Sequence, residues 1–145
     1  MARGLSGALI VDQPDSPDVN RDEVLVLDDW LLDLETGGLV EPFTLPKAMS
    51  HGGRTGNLVG VNGRFDFSLT AQKGERLRLR LNNAANARFF SLRLQAMAGW
   101  MVALDGTPLD APAVVAEEIT VAPAQCVDLI VDITTDKGAH AEQLT

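Results

Sequence analysis

This 145-residue chain has no tyrosine, one cysteine and two histidines. A single thiol, Cys126, excludes an intrachain disulfide and leaves the redox compartment open. With only His51 and His140, no site needing more than a pair of imidazoles can be assembled. Basic residues are outnumbered 12 to 20, which gives a net charge of −8. Nucleic acids and anionic membrane surfaces attract positive proteins, so neither is expected as a partner. No apolar run approaches the ~20 residues of a membrane-spanning helix. The first residues also lack the ordered charged, apolar and cleavage regions of a secretory signal.

What is present is β pattern. Hydrophobic residues make up 46% of the chain, which excludes disorder and leaves enough for one domain with its own core. Residues 74–106 are the most informative. Arg76, Arg78 and Arg80 alternate with Leu77, Leu79 and Leu81, so leucines line one face of a strand and arginines the other. The small polar stretch 82–88 reads as a turn, at most a turn of helix. Phe90, Leu92 and Leu94 then alternate with Ser91, Arg93 and Gln95, as in the return strand of an antiparallel hairpin. Further strands are expected at 7–11, 23–30, 57–62, 66–70, 100–104, 114–121 and 126–133. Asn62-Gly63 and Asp105-Gly106 signal tight turns. Residues 33–57 and 107–112 read as loops. The set of short strands predicts an all-β Greek-key sandwich or barrel.

The chemistry-bearing residues are sparse. A blue-copper site needs two His, one Cys and a weak axial Met, with Cys, His and Met close on one loop. Here thirteen residues separate Cys126 from His140, and no methionine follows Met101. His51, Met1, Met49 and Met97 are no better spaced, so Cys126 reads as a small strand residue. Ser6, Ser16, Ser50, Ser68 and Ser91 lie in no G-x-S-x-G elbow. The carboxylates Asp28, Asp29, Asp105, Glu117, Glu118, Asp128 and Asp132 have no calcium-loop spacing. The arginine row reads as cross-strand partners for Asp or Glu, with an anion patch as the weaker alternative. Asn83 and Asn86 suit side-chain bonds to turn backbone.

Several segments in order resemble one family. They are ARGLSGALIVDQP (2–14), EVLVLDDW (23–30), GNLVGVNG (56–63), GERLRLRLNNAANARFFSLRL (74–94), ALDG (103–106) and PAQCVDLIVDI (123–133). The chain resembles the second, middle cupredoxin-like domain of bacterial multicopper oxidases of the laccase-like and copper-efflux-oxidase-like kinds. The resemblance implies the following organisation. Residues 1–13 would be the last strand of a preceding cupredoxin domain, 14–22 a linker, 23–134 the middle domain and 135–145 a polar, frayed tail. The piece would come from a longer periplasmic or secreted protein.

That parent would hold copper and oxidise phenols, aromatic amines or metal ions while reducing dioxygen to water. The family's trinuclear copper centre uses four His-x-His motifs in the first and last domains, and its blue copper sits in the last. None of these motifs occurs here, so no catalytic, cofactor-binding or metal residue carries over and the chain itself is expected to hold no cofactor. Its partners would be the neighbouring cupredoxin domains, with a dimer through exposed edges when the piece stands alone. Two alternatives remain: the middle domain of a copper-free periplasmic scaffold or cell-division protein of the same fold, and a self-standing binding module.

Overall fold

The structure is a computed structural model that describes residues 4–12, 14–40, 46, 50, 52–116, 118–136 and 140–144, the last stretch as backbone. Among the described residues there are nine strands: β1 (Arg21–Trp30), β2 (Leu58–Val61), β3 (Arg76–Asn83), β4 (Phe90–Gln95), β5 (Met97–Leu104), β6 (Thr107–Val114), β7 (Glu118–Val121), β8 (Cys126–Ile133) and β9 (His140–Leu144). They form a six-stranded sheet, β2-β1-β3-β8-β5-β6, and a three-stranded sheet, β7-β4-β9.

The period-two pattern builds the core directly. Leu77, Leu79 and Leu81 of β3 and Val127, Leu129, Val131 and Ile133 of β8 are buried on one face of the large sheet. Phe90 and Leu92 of β4 and Ile119 and Val121 of β7 meet them from the small sheet. Each such side chain contributes about 1.5–3 kcal/mol by leaving water. Both expected tight turns form, with φ of 51° and 72° at Asn62-Gly63 and 48° and 76° at Asp105-Gly106. Asn62 also clamps its own turn: its amide donates to Val24 O at 2.9 Å and its Oδ1 accepts from Val26 N at 2.8 Å.

Several expectations are corrected. The expected hairpin over 76–95 does not form, because β3 and β4 belong to different sheets. Both strands bury one face in the shared core, and alternation is the same whether two strands pair or oppose each other. β1 runs parallel to β3, whereas the other strand pairs are antiparallel. The chain leaves β2 on one side of β1 and returns as β3 on the other.

Residues 107–112, expected as loop, are most of β6, which carries Pro108 and Pro112 and tolerates them as an edge strand. The expected strand 114–121 splits into the end of β6 and β7. Residues 66–70 and 7–11 join no sheet among the described residues. The tail, expected to fray, instead holds β9, which pairs with β4 from Ser91↔Leu144 to Gln95↔His140. Residues 84–89 are bends and coil without a helix.

Candidate functional site

The arginine row lies on the outer face of the large sheet, opposite the core, and every member is paired. Arg76 holds Asp132 through two bonds, of 2.6 and 2.7 Å. Arg80 holds Asp22 through two bonds of 2.7 Å. Arg78 binds Asp128 through both Nε and Nη2, and Arg80 approaches the same carboxylate at 3.5 Å. Arg76–Asp132 is a directly opposed pair in the β3–β8 register. Arg78 and Arg80 instead reach diagonally, since Arg78 stands opposite Asp22 and Arg80 opposite Asp128. The hydrogen bond from Arg80 holds the Asp22 carboxyl below its ordinary range against an opposing burial effect. The bond from Arg76 does the same for Asp132.

The Arg78–Asp128 pair is mostly shielded, at 12% and 14% side-chain exposure. A cleft of about 530 Å³ lies above it, walled by Ala8–Asp12 on one side and by Arg78, Arg80, Asp105 and Cys126 on the other. The cations of this face are engaged, so the arrangement is a cross-strand lattice that stiffens the sheet, as the sequence suggested.

A second polar cluster closes one end of the sandwich. Asp29 has a side chain only 2% exposed. Its Oδ2 accepts from Arg88 Nε at 3.0 Å and from Gly56 N, and Arg88 Nη2 donates to Gly56 O at 2.8 Å. Arg54 N donates to Asn86 Oδ1 at 2.8 Å, and the Arg54 guanidinium donates to Val40 O. Asn83, fully buried, donates to Arg88 O and Val121 O and accepts from Ala85 N. Asp28 beside them accepts from Asp29 N at 2.8 Å, and burial pushes its carboxyl above the ordinary range. Asp28, Asp29 and Arg88 showed no motif in the sequence. The NNAANAR stretch hinted only at the asparagines, because the partners lie up to 59 residues apart.

The candidate metal ligands do not converge. The Cys126 thiol donates to Asn82 Oδ1 at 2.8 Å, and burial followed by Asp105 and Asp128 raises its pKa. A cysteine binds copper as the thiolate, which this environment disfavours. Cys126 lies on the outer face, whereas Met97 and Met101 pack against the core on the other side. The backbone of His140 is in the small sheet. Met1, Met49, His51 and Glu117 lie outside the described residues. Among the described residues, no group of three or more His, Cys, Asp or Glu could hold a metal ion. The described Cys and Met residues therefore do not form a copper-ligand set.

Two facing sheets with this strand order form a cupredoxin-like β-sandwich. The multicopper oxidase family model matches residues 21–141, and the chain belongs to that family. It is 37% identical over 93 residues to the multicopper oxidase of Staphylococcus haemolyticus, a match covering 63% of this chain and 20% of that protein. The Staphylococcus epidermidis multicopper oxidase matches equally well.

Among solved structures, a multicopper oxidase from Pseudomonas thermotolerans superposes with a TM-score of 0.81 at 28% identity, over 92% of this chain and 32% of that one. Lac15 from a marine microbial metagenome is 31% identical with a TM-score of 0.68, over 94% of this chain and 34% of its own. The matched part is thus about a fifth of the length of these curated relatives and about a third of these solved chains.

Proposed function

We propose that this chain is the middle cupredoxin-like domain of a multicopper oxidase and that it binds no copper itself. Its role is to hold the copper-bearing domains on either side at a fixed separation. The observation that carries this reading is a family fold whose only thiol is bonded to Asn82 while its described methionines pack in the core. The arginine–aspartate lattice and the Asp29–Arg88–Gly56 clamp favour a rigid spacer, which a shared metal cluster needs from its scaffold. The whole protein, in this reading, is periplasmic or secreted. It oxidises phenols, aromatic amines or metal ions and passes the electrons to dioxygen, which becomes water.

The test is copper titration of the 145-residue chain followed by metal analysis and visible spectroscopy. The expected result is no stoichiometric copper after desalting, no blue band and no oxidase activity. One tightly held copper per chain would overturn the reading. For the parent, the flanking reading frame should carry four His-x-His motifs and a downstream His-Cys-His. Flanks without them would replace the oxidase with a copper-free scaffold.

A further inference from the structure

Asn62-Gly63 is the only Asn-Gly pair in the chain. In such a pair the asparagine can react with its own backbone. The Gly63 nitrogen attacks Asn62 Cγ, so the N–Cγ bond forms and the Cγ–Nδ2 bond breaks. Nδ2 leaves as ammonia with the proton from Gly63 N. Solvent water then opens the five-membered imide at either carbonyl, giving aspartate or an isoaspartyl link. A following glycine favours the attack because no Cβ crowds its nitrogen. Asn62 and Gly63 are both exposed, and a Cβ on Gly63 would meet nothing within 4 Å. Water and hydroxide therefore reach the reacting atoms.

The fold holds the amide away from that reaction. Asn62 Nδ2 donates to Val24 O at 2.9 Å and Oδ1 accepts from Val26 N at 2.8 Å, so both ends of the amide are anchored on β1. Asn62 N donates to Val26 O at 2.9 Å, and Val61 and Arg64 close the turn with reciprocal backbone bonds of 2.8 and 2.9 Å. Cyclisation turns Cγ onto Gly63 N and lets Nδ2 depart, so both side-chain bonds must break first. Release of β2 frees them. β2 is a four-residue strand at the edge of the large sheet, next to β1. Short edge elements open well below the free energy of global unfolding.

We propose that Asn62 is a site of self-modification gated by the fold. Native molecules keep the amide. Each opening of the β2 edge exposes it to imide formation, and the product cannot rebuild the clamp. With aspartate at position 62, an oxygen faces Val24 O where the donor stood, so two acceptors oppose each other. The isoaspartyl link runs the backbone through Cβ and adds an atom to the two-residue turn that Val61 and Arg64 close. Modification thus loosens the edge further and records the time a molecule has spent open.

Peptide mass mapping of the 145-residue chain tests it, in mildly alkaline buffer with and without denaturing urea. Deamidation at Asn62 is expected to run at least about tenfold slower in buffer than in urea, the weight of two hydrogen bonds. Val59→Ala thins the apolar contact of β2 with the core. It should speed the reaction several-fold in buffer and leave the rate in urea unchanged. If that variant misfolds, urea below the unfolding transition serves instead: the rate should climb while the circular dichroism spectrum is still native. Asn62→Asp, the direct product, should unfold at a lower urea midpoint than the parent chain. Equal rates in buffer and urea would overturn the proposal. So would a folded Val59→Ala chain that reacts no faster than the parent in buffer, a rate flat across sub-denaturing urea, or an Asn62→Asp chain as stable as the parent.

Discussion

Asn83 is polar yet only 1% exposed; its amide nitrogen donates to Arg88 O and Val121 O, and its oxygen accepts from Ala85 N. It links the end of β3 to β7 and to the crossing 84–89, where the chain passes from one sheet to the other. Asn83→Ala would leave two carbonyls and an amide N–H unsatisfied in the interior. The expected cost is about 3 kcal/mol, read as a lowered urea midpoint. Asp28 shows the opposite economy. Burial raises its folded-state pKa, so the folded chain binds that proton more tightly than the unfolded chain does. Its contribution to stability is therefore greatest below the unfolded pKa and is lost as pH rises through the folded value. Asp28→Asn keeps the acceptor for Asp29 N and removes the buried charge. The variant should unfold at higher temperature than the parent chain at pH 7, with the difference shrinking toward pH 3.5 or so. An unchanged gap across that range would show that Asp28 is not the titrating group.

Among the elements, the segment 52–57 is held against the end of β1 more tightly than its glycine-rich sequence suggests. A Cβ on Gly56 would lie 2.5 Å from the backbone nitrogen of Trp30, and backbone cannot move aside. A Cβ on Gly99 would instead strike the methyl end of Leu94, which can rotate away. Gly56→Ala should therefore cost about 2–3 kcal/mol and Gly99→Ala clearly less, as compared by thermal denaturation. Equal costs would mean that the 52–57 segment yields. The strands themselves were largely legible. β1, β2, β3, β4, β5 and β8 fall close to their expected places because alternation and Asn-Gly or Asp-Gly turns are local signals. β6 was hidden by Pro108 and Pro112, which mark it as an edge rather than as a loop. β9 was hidden by its polarity.

For the whole molecule, the charge lattice sets the response to acid. Asp22 and Asp132 are held below the ordinary carboxylate range by hydrogen bonds from Arg80 and Arg76. Asp33 is lowered by the backbone N–H groups of Thr36 and Glu35. A depressed folded pKa contributes stability that is complete above the unfolded value, near 3.9, and is lost as pH falls through the folded one. Among the described carboxylates with a shift, Asp28 pulls the other way against three. The melting temperature should thus fall as pH drops from about 5 to about 3. A rise over that interval would mean that burial outweighs the arginine pairs.

The alternation of leucine with arginine, the turn dipeptides and the count of two histidines belong to the sequence itself. They determined an all-β chain, its buried faces and the lack of imidazoles for a large copper cluster, because each depends on neighbours in sequence or on composition alone. Which strands share a sheet depends on contacts between distant residues. So do the diagonal choice of Arg78 for Asp128 and the Asn82 carbonyl that takes the Cys126 thiol. Period-two patterning is blind to those contacts, so the tertiary structure alone decided them.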